Sequence, residues 1–337
     1  MKKRLLLCFL ALALLLSACN LLPDAGAKPQ AVSEQSIWAM DTQMDLRLYG
    51  DSDGKLMAKL TALLNELDRS LSATNPDSAL SALNCSGATT DPQLMQLAAE
   101  ALTVSEQTGG ALDVTLLPVS RAWGFTTEHK AVPEPDVLEA LRERVGMDKL
   151  LLSAAGLELA EGTELDLGSV AKGWAADRCR GEMEKAGLSG ILSLGGNIQT
   201  VGTKPDGSPW IVGVQDPNDT GRYSLTLRLM GARAVVSSGD YQRFFMENGV
   251  RYCHILDPKT LAPVQGSLRC VTVVADSGVR ADALSTALYV LGRETGAALW
   301  RSLRDFEAIW QEADGSVWIT PGLKEAVAEG SFEVIEP

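Results

Sequence analysis

A carboxylate and a hydroxyl stand at helical spacing in the last quarter of the chain, where together they could bind a metal ion. Asp282 and Thr286 are four residues apart in the segment Arg280-Ala-Asp-Ala-Leu-Ser-Thr286, so on a helix both oxygens lie on one face. Carboxylate and hydroxyl oxygens suit Mg²⁺ that also binds phosphate and water. The structural alternative is an aspartate that caps the start of the helix, with the threonine facing outward.

The sequence contains two histidines, and they differ in their surroundings. His129 lies in the charged stretch Glu128-His-Lys130, which is typical of a solvated surface. His254 lies in His254-Ile-Leu-Asp-Pro258, shortly after the polar segment Ser237-Ser-Gly-Asp-Tyr241. It is either a general base poised near neutral pH or a core histidine hydrogen-bonded to Asp257.

Glycine-containing segments are the third feature, because they let a ligand approach the main chain. Asp166-Leu-Gly-Ser-Val-Ala-Lys-Gly173 leads into a helix, where free N–H groups and Lys172 could bind a phosphate. Asp166 could accept hydrogen bonds from a ribose or a ring N–H, or serve as a turn residue. Thr108-Gly-Gly-Ala-Leu-Asp113 and Leu194-Gly-Gly-Asn197 suit a flat ligand, but a helix C-cap and a strand turn explain them equally well. None has the glycine spacing of a Walker A or dinucleotide-binding fingerprint.

The first residues indicate export. A basic start, an apolar run over 5–16 and Leu16-Ser-Ala-Cys19 are typical of a signal peptide over 1–18, and the last four residues resemble the bacterial lipobox. Cys19 would then carry fatty acyl chains such as palmitate and anchor the protein to the extracytoplasmic face of the cell membrane. The alternative is an ordinary cleaved signal with a chance cysteine. We expect a lipidated tether over 19–35 and one functional domain over 36–337.

Charge and cysteine content exclude some classes of function. The net charge is −13, and loss of residues 1–18 with their three positive charges makes it −16. Such an acidic chain argues against a nucleic-acid partner, and it must supply local positive charge to bind an anionic dinucleotide. The remaining cysteines show no Cys-x-x-Cys metal spacing, so a disulfide and free thiols both stay open for Cys85, Cys179, Cys253 and Cys270.

The elements that must position these residues mix helices with strands. Apolar periodicity predicts helices at 55–71, 91–108, 134–145, 169–186 and 281–291, and short strands dominate from about residue 190. Because helices and strands do not alternate strictly, we expect an α+β fold. Its core would be a mostly antiparallel sheet with flanking helices, in two intimately packed subdomains.

Taken in order, the motifs between Met40 and Gly292 resemble those of the ApbE family, the FAD:protein FMN transferases. The matching segments are Met40-Asp-Thr42, Thr108–Asp113, Trp123-Gly-Phe125, Asp166–Gly173, Leu194–Asn197, Pro205-Asp-Gly207, Ser238-Gly-Asp-Tyr241, His254–Pro258 and Ala281–Thr286. Each motif is short, and the specificity of the resemblance comes from their number and order.

The resemblance implies roles for individual residues. FAD contacts would come from Met40, Thr74, Ala111, Leu112, Asp113, Asp166, Lys172, His254 and Ile255. Mg²⁺ would be held by Asp282, Thr286 and the main-chain carbonyl of Ser169, with Ala171 as the alternative. His254 would take the proton of an acceptor threonine, with Asp257 orienting its imidazole, while FMN is transferred and AMP leaves. Acceptors would carry a Ser/Thr-Gly-Ala-Thr segment and include subunits of membrane redox complexes.

The chain departs from the family pattern at several positions. Asp41 and Leu261 stand where glycine is usual, Leu112 and Val114 stand where Phe and Pro are usual, and Thr74 stands where many relatives carry an aromatic residue. Three other functions stay open: an FAD pyrophosphatase if water is the acceptor, a flavin-binding lipoprotein without turnover, and a structural lipoprotein without flavin. A pure carrier needs neither the histidine nor the Asp282–Thr286 pair.

Overall fold

A computed structural model describes residues 31–127 and 129–337. The predicted signal peptide, Cys19 and most of the predicted tether lie outside these residues. Seven α-helices occur in the described part: α1 Lys55–Leu71, α2 Ala79–Ser86, α3 Pro92–Gln107, α4 Leu117–Ala122, α5 Pro135–Leu141, α6 Ala171–Lys185 and α7 Gly278–Leu303. None of these helices has the length and hydropathy that a membrane crossing requires.

The described residues also form nineteen short strands. They are β1 Val32–Ala39, β2 Thr42–Tyr49, β3 Ala88–Thr89, β4 Leu150–Ser153, β5 Gly156–Leu159, β6 Ser189–Leu194, β7 Asn197–Val201, β8 Trp210–Gln215, β9 Tyr223–Leu229, β10 Arg233–Gly239, β11 Phe244–Glu247, β12 Val250–Cys253, β13 Leu256–Asp257, β14 Ala262–Pro263, β15 Leu268–Ala275, β16 Glu307–Glu312, β17 Val317–Ile319, β18 Val327–Glu329 and β19 Glu333–Val334. Nine of them form one sheet in the order β1-β2-β6-β7-β10-β15-β16-β17-β19. Only the β17–β19 pair in that sheet is parallel, which confirms the α+β class and the mostly antiparallel sheet.

The central strands are buried on both faces, which makes the protein three layers thick. In β10, Ala234 and Val236 belong to the core that lies under the helices, whereas Val235 faces the opposite core. Side chains alternate between the two faces of a strand, so one apolar run serves two layers. The helical layer includes α6 and α7, and the other layer is the small sheet β18-β9-β8. Its strand β8 contributes the buried Trp210.

The predicted helices occur close to their expected positions, and two boundaries are informative. The helix predicted over 281–291 is longer, because α7 starts at Gly278 and continues past a non-helical Gly292 to Leu303. The tether predicted over 19–35 is too long at its C-terminal end. Strand β1 begins at Val32 and pairs with β2, so residues 32–35 belong to the sheet. The alternation of exposed polar and partly buried side chains in Val32–Ala39 explains why this edge strand resembles a linker in sequence.

The segment between α1 and α6 shares one core with the large sheet, as expected for intimately packed subdomains. Residues 79–167 hold α2–α5 and the small sheet β3-β5-β4, and their buried leucines join the same cluster as the inner faces of the large sheet. The four cysteines of the described residues are free thiols, with Cys85 exposed and the other three buried.

Helices α6 and α7 approach each other so closely at their first turns that only glycine fits. A Cβ atom on Gly173 would lie 2.2 Å from the Gly278 carbonyl oxygen and 2.8 Å from the Cβ of Asp282. A Cβ on Gly278 would lie 2.6 Å from the Gly173 carbonyl oxygen. Backbone atoms cannot move aside as a flexible side chain can, so this contact fixes the relative position of the two helix starts.

We therefore expect Gly173→Ala to lower the free energy of unfolding by about 1–3 kcal/mol, as overpacking does in a dense core. The matched control is Gly181→Ala in the same helix, where an added Cβ meets no atom within 4 Å. That substitution should be neutral or stabilising by up to about 1 kcal/mol, because alanine favours the helix. Urea denaturation of both variants measures the difference. Equal stabilities of the two variants would contradict the contact.

Candidate functional site

The first turns of α6 and α7 cap each other with aspartates. Asp177 of α6 accepts hydrogen bonds at the start of α7, from the N–H groups of Gly278 (2.7 Å) and Val279 (3.0 Å). In return, Asp282 of α7 accepts one from the N–H of Gly173 at 2.8 Å. Helix N-termini carry unpaired N–H groups and partial positive charge, so each carboxylate stabilises the partner helix. The N-cap of α7 is Ser277, so Asp282 does not cap its own helix as the structural alternative expects, and it caps the start of α6 instead.

The surroundings of Asp282 are polar and almost closed to solvent. The residue is 4% exposed, and burial raises the pKa of its carboxyl group, against the opposing effects of the Lys172 charge and the Gly173 N–H. The side chain of Asn197 lies beside it, and the Asn197 Nδ2 atom is buried without a hydrogen-bond partner in the described residues. A cation at this carboxylate would offset the cost of burying its charge.

The hydroxyl of Thr286 lies where the helical spacing predicts it, on the face of α7 that meets the sheet. Its Oγ1 is 3.2 Å from the Ser238 Oγ, which in turn is 2.8 Å from the Ser285 Oγ. Ser238 belongs to β10, so the hydroxyl cluster joins helix and sheet. Thr286 therefore does not face outward, and the structural alternative for this residue is wrong.

The residues present fit a hard metal ion better than a soft one. Within residues 31–127 and 129–337, no three His, Cys, Asp or Glu side chains come together as a metal cluster. The available donors are one carboxylate, hydroxyls and main-chain carbonyls. Ser169 precedes Val170, the N-cap of α6, and its carbonyl oxygen accepts no hydrogen bond from the described residues, so this oxygen stays available to a ligand.

Lys172 connects the candidate metal ligands with the candidate base. Its Nζ donates to the Gly168 carbonyl at 3.3 Å, and its charge lowers the pKa values of both Asp282 and His254. Asp166 shapes the same loop, because its Oδ1 accepts the Gly168 N–H at 2.9 Å. A phosphate between these groups would meet one ammonium and a helix N-terminus.

His254 is held by a main-chain carbonyl. The Arg243 oxygen accepts the His254 N–H at 3.0 Å and lies 3.2 Å from the ring Nδ1. A carbonyl oxygen can only accept, so Nδ1 carries the proton and Nε2 keeps its lone pair. Burial, with the nearby charges of Arg243 and Lys172, lowers the pKa of His254 to about 4. The imidazole is therefore a neutral base at physiological pH.

Asp257 does not orient this imidazole, so that expectation is wrong. Its Oδ1 accepts the Lys259 N–H at 2.8 Å and closes the turn between β13 and β14. Sequence reasoning missed Arg243, because the contact uses a main-chain atom and leaves no mark on the residue type.

The turn predicted to meet the flavin is backbone-strained. Met40 and Asp41 have φ values of 51° and 57°, a left-handed pair that β-branched and bulky residues seldom adopt. The Met40 N–H donates to the Asp68 Oδ1 at 2.8 Å, and Asp41 pairs with Arg243 at 3.4 Å. Leu261, the other position where the family has glycine, is also left-handed, with φ 58°. Asp41 and Leu261 thus differ from the expected glycine in their side chains, but their backbones keep the left-handed conformation that favours glycine.

The other predicted FAD contacts lie in two places. Asp113 is engaged by the N–H and hydroxyl of Thr115, and burial raises its pKa. The N–H of Asp166 donates to the Val114 carbonyl at 2.8 Å, which brings the end of the Thr108–Asp113 turn to the start of the Asp166–Gly173 segment. Ala111 and Leu112 are buried in the same turn as Asp113, and Ile255 is buried next to His254. Thr74 is exposed and bonds within its own loop to Ser72.

Comparison with known proteins places this arrangement in a family. The model of the ApbE family matches residues 40–310. A protein named FAD:protein FMN transferase from Treponema pallidum is 34% identical over 80% of this chain and 81% of its own length. One of the same name from Haemophilus influenzae is 32% identical, covering 84% and 86%. The crystal structure of Pseudomonas stutzeri flavinyl transferase ApbE superimposes with a TM-score of 0.80 at 30% identity, covering 90% and 98%.

The environment of His254 predicts an unusual titration. Its imidazole should stay neutral, with the proton on Nδ1, down to about pH 4, instead of protonating near pH 6.5 as a free histidine does. The unfolded chain would take up that proton first as the pH falls, so this residue removes stability between pH 6.5 and 4. NMR of ¹⁵N-histidine-labelled protein measures both properties, with His129→Ala assigning the second ring. An ordinary pKa with the proton on Nε2 would contradict the site geometry.

Proposed function

The chain belongs to the ApbE family, and from that premise we propose that it is an FAD:protein FMN transferase whose acceptor group is a threonine hydroxyl. The observation that carries the proposal is the neutral His254, whose Nε2 lone pair is left free by the bond from Nδ1 to Arg243. A group transfer to a hydroxyl needs such a base, because the hydroxyl must lose its proton as it attacks.

The proposed transfer can be written as a balanced reaction in which His254 accepts the proton. The acceptor oxygen attacks the phosphorus of the FMN half, the bond from that phosphorus to the bridging oxygen breaks, and AMP leaves with the bridging oxygen. His254 Nε2 takes the hydroxyl proton. Lys172 lies close to both His254 and Asp282, and so stabilises negative charge on the phosphates between them.

Asp282, Thr286 and the Ser169 carbonyl would hold Mg²⁺. When bound, the ion neutralises the pyrophosphate and makes AMP a better leaving group. The support for this assignment is the set of hard oxygen donors, which comprises the buried Asp282 carboxylate and the hydroxyl cluster around Thr286.

The second candidate is hydrolysis at the same site. If water takes the place of the acceptor hydroxyl, the same base and the same leaving group make the protein an FAD pyrophosphatase. A flavin carrier without turnover is less well supported, because binding alone requires neither a histidine of lowered pKa nor a buried carboxylate.

The proposed place of action is the extracytoplasmic face of the cell membrane, with acyl chains on Cys19 as the anchor. The support is the order of basic, apolar and small residues before that cysteine. The acceptors would then be membrane redox-complex subunits that carry a Ser/Thr-Gly-Ala-Thr segment.

Turnover by the mature domain is the first test. Incubation with FAD, Mg²⁺ and an acceptor bearing Ser-Gly-Ala-Thr should add one FMN to the acceptor threonine and release AMP, as measured by intact mass and chromatography. His254→Ala should lower kcat by about 10²–10⁴-fold. Asp282→Asn keeps an acceptor for the Gly173 N–H but removes the charge, so it should abolish the response to Mg²⁺. The matched control is His129→Ala, since that residue is exposed and lies outside the site.

The other outcomes separate the candidates. AMP and free FMN without labelling of the acceptor would favour the pyrophosphatase. Bound FAD with no release of AMP would contradict both enzymatic proposals and favour the carrier.

Anchoring is tested separately in the full-length chain. Cys19→Ser should move the protein from the membrane fraction to the soluble exported fraction, because the cysteine is the proposed site of acylation. Cys85→Ser is the control, as that thiol is exposed within the folded domain. Membrane association of Cys19→Ser equal to that of the unaltered chain would contradict lipid anchoring.

A further inference from the structure

The two ends of one hairpin meet at the candidate base. Strands β11 and β12 pair only with each other, outside the nine-stranded sheet. Arg243 immediately precedes β11 and His254 immediately follows β12. The bonds from the His254 N–H and Nδ1 to the Arg243 carbonyl therefore join the two strands at the open end of this hairpin. Any tilt of the hairpin would move both the imidazole and the carbonyl that orients it.

One face of the hairpin packs on aromatic rings. Phe245 and Tyr252 stack with centroids 5.1 Å apart. Trp123 lies 5.4 Å from Tyr252, and Phe125 lies 5.8 Å from Phe245. The Trp123-Gly-Phe125 motif, which the proposed chemistry leaves without a role, thus supports the hairpin from one side.

The opposite face is held by a carboxylate between two arginines. Arg251 lies on the same face as Phe244, with its guanidinium 4.2 Å from that ring centroid. Its Nη1 is 3.6 Å from one oxygen of Asp240, whose other oxygen is 2.8 Å from the Nη1 of Arg269. Asp240 is 8% exposed, and its N–H donates to the Arg269 carbonyl at 3.1 Å. Asp240 follows β10, so this cluster joins the hairpin to the central sheet.

We propose that Asp240 is a positioning residue for the flavin transfer, acting through Arg251 and the hairpin to keep the Arg243 carbonyl on the Nδ1 of His254. This inference rests on the proposed function for its kinetic part only. The orientation of the imidazole is a property of the free protein and can be measured without turnover.

Charge makes this position sensitive to substitution. Asp240 is the carboxylate that both arginines share, so its neutralisation leaves two cations close together in a partly buried site. The thiols of Cys253 and Cys270 and the phenols of Tyr241 and Tyr289 surround the cluster, and burial raises all four pKa values, so these groups stay neutral. They offer no replacement for the lost charge. The charged groups that face His254 itself are Arg243 and Lys172.

The chain contains a matched control for a purely structural role. Glu312 pairs with Arg293 at 3.5 Å, and its side chain is 12% exposed, as is that of Asp240. Arg293 also lies over an aromatic ring, 4.1 Å from the centroid of Trp318. Glu312 is the last residue of β16, and no hydrogen bond or ion pair among the described residues joins its side chain to the hairpin.

The experiment compares Asp240→Asn with Glu312→Gln in the mature domain. For Asp240→Asn we expect kcat to fall on the order of 10- to 100-fold while the KM for FAD stays within about twofold, because misplacing a base affects chemistry more than substrate binding. The ¹⁵N spectrum should show the His254 pKa rising from about 4 toward its ordinary value and a mixture of tautomers. Glu312→Gln should change neither property.

Arg251→Met is the second variant, in case Asp240→Asn fails to fold. It keeps the packing on Phe244 and leaves Asp240 paired with Arg269, so it should show the same change in His254. A wild-type His254 titration and kcat in either folded variant would overturn the proposal. If the unaltered protein transfers no flavin, the proposed function fails, and the His254 spectrum alone then decides whether Asp240 positions the imidazole.

Discussion

The site depends on the contact between the first turns of α6 and α7. Two glycines let the backbones touch, and two aspartates then satisfy the N–H groups that the helix starts leave free. Burying Asp282 without those bonds would carry the full cost of an unpaired carboxylate. The same contact sets the distance from the Asp166–Gly173 segment to the hydroxyls of α7. The residues that fix the packing of α6 against α7 therefore also hold the candidate metal ligands in place. These ligands cannot move independently of the fold.

The candidate base belongs to a different part of the architecture. His254 is carried by a hairpin outside the main sheet, whereas Asp282 belongs to the rigid junction of helices and sheet. Lys172 is the residue whose charge reaches both. The candidate metal ligands are thus held by the helix junction, whereas the position of His254 depends on how the hairpin is packed. The hairpin in turn is held by the Trp123-Gly-Phe125 motif and by Asp240, which have no direct role in the proposed chemistry.

Residue types predicted much of this arrangement. The spacing of Asp282 and Thr286 predicted one helical face, and the small residues before Gly173 predicted a second helix start, whereas their proximity was implied only by the family resemblance. The orienting partner of His254 could not be predicted, because a carboxylate three residues away looked more suitable than a carbonyl eleven residues earlier. The first residues of β1, up to residue 35, were assigned to the tether, because an exposed edge strand has the polar composition of a linker. Local pattern predicts elements well, and it fails where the partner is distant or is a backbone atom.

The bond from His254 to Arg243 has a consequence for how such sites evolve. Every amino acid supplies a carbonyl, so position 243 can drift in sequence while the imidazole keeps its partner. Residue covariation and side-chain mutational scans are both blind to an acceptor of this kind. Only a change to the peptide unit itself, such as an ester in place of the following amide, would weaken it directly. Homologues could therefore share the orientation of this imidazole without sharing the residue that enforces it.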